Sequence, residues 1–132
     1  MVVEDDDDTR RWLHRALERD GWEVREAASG RQALECLARA PVDVILLDLM
    51  MPEMDGFEFL AERRKHKALA KIPVIVVTAA DLSEDDRRRL NGGVLHVLQK
   101  SAQTRDQLLG ELRELVVQCL PDEIRVESAE DA

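Results

Sequence analysis

Five short apolar runs, separated by amphipathic stretches, constrain this chain more than anything else in its sequence. The runs are Val2-Val3, Trp22 to Ala27, Val42 to Leu47, Pro73 to Val77 and Val94 to Leu98. The runs at 42–47 and 73–77 are largely apolar, as strands covered on both faces are, while 22–27 alternates like an edge strand. Helical spacing marks the stretches between them. Trp12, Leu13, Ala16 and Leu17 share one face, as do Ala33, Leu34, Leu37 and Ala38, then Phe57, Leu60 and Ala61, and last Leu108, Leu109, Leu112, Leu115, Val116 and Cys119. Ser83 to Leu90 is shorter and more polar, with Ser83 placed to cap it. Turn signals (Asp20-Gly21, Ser29-Gly30, Ala40-Pro41, Asp55-Gly56, Asn91-Gly92-Gly93) punctuate the order. A β-α unit repeated five times predicts a doubly wound α/β domain: a five-stranded parallel sheet with five helices on its two faces.

At 132 residues the chain fits one domain, read here as 1–120, with 121–132 turning acidic and small like a tail or linker. Nineteen basic against 28 acidic residues give a net charge of −9, which argues against nucleic-acid binding. Cys36 and Cys119 sit in apolar helical patterns and read as small hydrophobes rather than a disulfide. No apolar run approaches the roughly 20 residues of a membrane span. The start runs straight into acids, unlike a signal peptide, so a cytoplasmic setting is expected.

Ligands of open α/β sheets sit outside the carboxyl ends of the strands. After the first run come Glu4, Asp5, Asp6, Asp7 and Asp8; after the third, Asp48; after the fourth, Thr78; after the fifth, Lys100. Carboxylates, a hydroxyl and an ammonium facing one crevice are an inventory for Mg²⁺ and a phosphoryl group. Singly, each has an ordinary explanation: a helix start favoured by the macrodipole, a turn cap, a β-prone threonine, a surface lysine. Together they stand at the ends of four strands.

Val3-Glu4-Asp5-Asp6, Asp48-Leu49-Met50-Met51-Pro52-Glu53-Met54-Asp55-Gly56, Pro73 to Ala80 and Lys100 resemble the receiver domain of bacterial two-component response regulators over roughly residues 1–120. That resemblance implies a flavodoxin-like sheet of order 2-1-3-4-5. It also implies a signalling phosphoacceptor rather than an enzyme with a substrate of its own. Asp48 would be the nucleophile that takes a phosphoryl group from a histidine kinase or histidine phosphotransfer domain. Mg²⁺ would be held by Asp5, Asp48, the backbone carbonyl of Met50 and, through a water, Glu4. Asp5 with Asp6 stays open as a one-place alternative to Glu4 with Asp5. Thr78, Ala79 and Lys100 would take phosphoryl oxygens. Pro52 and Gly56 would shape the loop after Asp48. Met50 and Ala80, both non-acidic, imply a slowly hydrolysed acyl phosphate.

Three departures stand out. Ser101 replaces the usual proline after the lysine, Val97 replaces the usual aromatic at the switch position beside His96, and two glycines, Gly92 and Gly93, precede the fifth strand. Leu98-Gln99-Lys100-Ser101 and the following Arg-Asp-Gln-Leu-Leu helix resemble receivers appended to hybrid histidine kinases, and the early first strand suggests a domain cut from a longer chain. Partner docking is expected on the first helix, where Trp12 is either core or contact, and a homodimer stays open. Two competitors are a phosphatase of the haloacid-dehalogenase type, through the Asp5–Asp7 spacing, and a pseudo-receiver that only binds other proteins.

Overall fold

The computed structural model describes residues 1–51, 54–79, 81–90, 94–100 and 104–119. The strands are β1 (Val2–Val3), β2 (Glu26–Ala27), β3 (Ile45–Leu47), β4 (Val74–Thr78) and β5 (His96–Gln99). The helices are α1 (Asp7–Arg19), α2 (Gly30–Arg39), α3 (Gly56–Arg64), α4 (Lys67–Ala70), α5 (Glu84–Leu90) and α6 (Arg105–Cys119). All pairings are parallel and the order is β2-β1-β3-β4-β5, as the resemblance implies. Six helices rather than five are seen among the described residues. The extra one, α4, is a single turn held by Arg63, whose buried guanidinium donates to the carbonyls of Ala70 and Ile72 at 3.1 and 2.8 Å.

Side chains alternate along each strand between two cores. Val3, Ile45, Leu47, Val74 and Val76 pack with Ala33, Leu37, Phe59 and Leu60 on the α2–α3 side. Val2, Leu46, Ile75, Val77 and Leu98 pack with Leu13, Leu17, Leu108, Leu112 and Val116 on the α1–α6 side. Burial of two apolar faces on one sheet is what forces helices onto both sides.

Several boundaries differ from the expected ones. β2 is confined to Glu26–Ala27 because its partner β1 offers only Val2 and Val3. β3 begins at Ile45 and β4 at Val74, after Pro73, which has no N–H to give the ladder. On α3 the buried residues are Gly56, Phe59, Leu60 and Arg63, not the Phe57 and Ala61 expected beside Leu60. The rotation follows from Gly56, which lies so close to Leu49 and Asp48 that a Cβ would sit 2.7 Å from Leu49 Cα and 2.8 Å from the Asp48 carbonyl. Cys36 and Cys119 are free and half-buried, each against a different core. Trp12 is half-buried against the α1–α6 core, with the Arg105 guanidinium 5.1 Å over its ring. Pro52, Glu53, Ala80, Asn91 to Gly93, the Ser101 position and the 121–132 segment lie outside the described residues.

Candidate functional site

Parallel strands bring their carboxyl ends to one edge, and the register sets which side chains meet there. Val3 pairs with Leu47, so the next residues, Glu4 and Asp48, emerge side by side. Their backbones are pinned: Glu4 N–H donates to the Ala27 carbonyl and Asp48 N–H to the Val3 carbonyl, both at 3.0 Å. Thr78, fully buried, ends β4 beside Gln99, the last residue of β5 before Lys100. Ala79 follows it, exposed.

Glu4 and Asp48 are only 3% and 6% exposed. Lys100 reaches over the sheet edge to both, its Nζ 2.9 Å from Glu4 Oε1 and 3.8 Å from Asp48 Oδ2. The N–H of Met50 donates to Asp48 Oδ1 at 3.2 Å, closing a turn that holds the carboxylate, while the Met50 side chain stands in solvent. Burial, and then hydrogen bonding to the Asp48 carboxylate, push the Glu4 carboxyl up to about 8; the pull of Lys100 is weaker.

Glu4, Asp5 and Asp48 each offer a carboxylate oxygen, and these lie within 4.8 Å of one another. Three hard oxygen donors with one ammonium leave negative charge to be balanced, and exposed Asp5 opens the cluster to water. That donor set fits Mg²⁺, which takes a few carboxylates and keeps several waters. Asp6 is occupied elsewhere: its carboxylate caps α1 by accepting from the Thr9 N–H and hydroxyl, and those bonds hold its pKa below the usual range. Asp7, which the phosphatase alternative needs beside Asp5, is exposed in the first turn of α1 and paired with Arg10.

The sequence model of the response regulator receiver domain matches residues 1–113. This chain belongs to that family. The receiver is 36% identical over 125 residues to the regulatory protein AtoC of Escherichia coli, covering 95% of this chain and 27% of AtoC, so it spans about a quarter of that relative. Among solved structures it is similar to the chemotaxis protein CheY4 of Vibrio cholerae, with 31% identity, a TM-score of 0.75, and 86% and 93% of the two chains covered. It is also similar to the receiver domain of sensor histidine kinase PA1611 from Pseudomonas aeruginosa, with 27% identity, a TM-score of 0.76, and 89% and 92% covered. That structure holds a magnesium ion in its active-site cleft. Receiver domains are phosphoacceptors that bind Mg²⁺ at an acidic site and work with histidine kinases or phosphotransfer proteins, and this receiver carries its acidic cluster after β1 and β3. None of the described helices is long and apolar enough to cross a membrane.

Val97 is half-buried, pairs with Val76 and packs against the α2–α3 core, whereas His96 is exposed. Reasoning from sequence missed Arg10. Its guanidinium donates to the Glu4 carbonyl at 2.8 Å and to Glu26 Oε1 at 3.0 Å, and it also pairs with Asp7. The Asp7–Arg10 spacing was visible on the helix, but the partnership with Glu26 depends on how β2 lies against β1.

Proposed function

We propose that this receiver accepts a phosphoryl group on Asp48 from a phosphohistidine, in a Mg²⁺-dependent reaction, and thereby switches a protein-interaction surface. The observation that carries this reading is the buried Asp48 carboxylate set between the Glu4 and Asp5 carboxylates and the Lys100 ammonium. An Asp48 oxygen attacks phosphorus, the P–N bond to the donor imidazole breaks, and the imidazole nitrogen takes up a proton. A carboxylate is a weak nucleophile, so positioning and charge supply most of the acceleration. Bound Mg²⁺ supplies neutralisation of the oxygens around the transferring group.

Asp5, Asp48 and the Met50 carbonyl would hold the metal directly, and Glu4 would act through a water. Thr78, Ala79 and Lys100 receive phosphoryl oxygens. Lys100, now bound to Glu4 and near Asp48, is placed to move toward the new phosphoryl charge. The affected face is that of α5, β5 and α6, with Val97 at the switch position. Its setting is a cytoplasmic phosphorelay, in which the receiver is part of a hybrid histidine kinase; the alternative is a stand-alone regulator. The similarity to the PA1611 receiver favours the first and that to CheY4 the second.

The test is incubation with acetyl phosphate and Mg²⁺, read by intact mass. One phosphoryl adduct on the wild type, absent in Asp48→Ala and without EDTA-resistant formation, is expected. No adduct on the wild type overturns the reading in favour of a pseudo-receiver. Reading the coding sequence on either side of this chain separates the hybrid kinase from the stand-alone regulator.

A further inference from the structure

Glu4 and Asp5 follow a two-residue strand, β1, which pairs with β2 on one side and β3 on the other and whose ladder ends with the Glu4 N–H on the Ala27 carbonyl. The Glu4 carbonyl is tied down from outside the sheet. Arg10, on the first turns of α1, turns back and donates from Nη1 to the carbonyl of Glu4 at 2.8 Å. Its Nε donates to Glu26 Oε1 on β2 at 3.0 Å, and its Nη2 pairs with Asp7. Glu26 is itself held on its other oxygen by His14 Nδ1 at 2.8 Å, and His14 Nε2 meets Glu18 at 3.1 Å. One guanidinium thus joins the backbone of the metal-site loop, the edge strand and α1. Its planar fork of donors suits this three-way attachment, which an ammonium cannot reproduce.

We propose that Arg10, anchored by Glu26, is the positioning residue that holds Glu4 and Asp5 in the geometry needed for the divalent cation. The inference rests on the Mg²⁺ reading of this site. It makes a prediction opposite in sign to that of charge alone. Removing a cation near an acidic cluster should tighten Mg²⁺ binding by lessening repulsion. Removing a clamp on the ligand-bearing loop should weaken it, by the margin usual for groups that orient metal ligands.

The experiment is calorimetric titration of the folded, metal-free protein with MgCl₂, for the wild type, Arg10→Gln, Glu26→Ala and the double variant. Arg10→Gln is expected to raise the Mg²⁺ dissociation constant about tenfold. Glu26→Ala should raise it by a smaller factor, and the double variant by less than the product of the two, since both break one attachment. Phosphorylation by acetyl phosphate at saturating Mg²⁺ should stay within about twofold of wild type, because the clamp acts on binding and not on transfer. Unchanged or tighter Mg²⁺ binding in Arg10→Gln overturns the proposal, as does a rate that saturating Mg²⁺ fails to restore. If Arg10→Gln does not fold, Glu26→Ala decides alone: an unchanged constant overturns the proposal and a raised one supports it. A wild type that binds no Mg²⁺ refutes the metal site itself, a result distinct from failure of the clamp.

Discussion

Lys100 Nζ lies 2.9 Å from Glu4 Oε1, nearer than the 3.8 Å that separates it from Asp48 Oδ2. The lysine that the phosphoryl group would recruit is therefore already engaged, by an acid only 3% exposed. Receiving a phosphoryl group would mean exchanging one partner for another at the same edge of the sheet. The ends of β1, β3 and β5 are linked through that exchange.

Lys100→Met should show what the engaged lysine does before any phosphoryl group arrives. At pH 8 in metal-free buffer it leaves the buried Glu4 oxygen without its donor, a loss of about 1–3 kcal/mol. At pH 5 Glu4 is protonated and the ammonium matters less, so the loss should shrink. Urea denaturation at the two pH values checks this; an equal loss at both would show that Lys100 acts on something other than the Glu4 charge.

Glu4 also sets a pH dependence. Its carboxyl is raised from 4.5 to about 8 in the folded domain, so the folded state binds the proton more tightly than the unfolded chain. That contribution is fully present below pH 4.5 and is lost as pH rises to about 8. The buried Met1 ammonium, lowered from 8.0 to about 6, slopes the opposite way over part of this window, so the comparison is with Glu4→Gln: metal-free wild type should lose stability relative to that variant as pH rises from 4.5 to about 8. Mg²⁺ affinity should rise over the same window, as the site gives up its proton. A slope that Glu4→Gln leaves intact would assign the effect to another group.

The strand-end acids, threonine and lysine were legible because a parallel sheet converts chain order into position: whatever follows each apolar run arrives at one edge. What sequence could not supply was rotation and register. Phe59 and Arg63 face inward on α3, instead of Phe57 and Ala61, because the close approach of Gly56 to Asp48 turns the helix. Periodicity in a helix with apolar residues on two sides does not choose between those faces. The hydrogen bond between Arg10 and Glu26 joins residues sixteen apart. Only the pairing of Val2 with Glu26 and Val3 with Ala27 brings them together.

Two glycines should respond in opposite ways to the same substitution. Gly56→Ala drives a methyl into backbone at Leu49 and Asp48, which cannot give way as a side-chain tip could. A loss of about 1–3 kcal/mol is expected. Because the displaced carbonyl belongs to Asp48, phosphorylation should slow as well. Gly110, inside α6, has nothing within 4 Å of its added Cβ, so Gly110→Ala should stabilise by about 0.5–1 kcal/mol and leave phosphorylation unchanged. Thermal unfolding of both variants, with acetyl phosphate kinetics beside it, gives the comparison.

Met50 bears on how long the phosphoryl group stays. Its side chain is 63% exposed two residues after Asp48, and a thioether offers almost no hydrogen bonding to a water. Hydrolysis of an acyl phosphate needs a water aimed at phosphorus from the solvent side, so a residue there that cannot orient one should leave the bond long-lived. The wild-type phosphoryl group is expected to persist well beyond seconds. Met50→Glu puts a solvent-facing carboxylate two residues after Asp48, and if that carboxylate gives general-base assistance the lifetime should shorten several-fold. The check is decay of the phosphorylated mass after removal of acetyl phosphate. A wild-type half-life of a few seconds would contradict the first expectation. An unchanged decay in Met50→Glu would show that this side chain does not control access of water to Asp48.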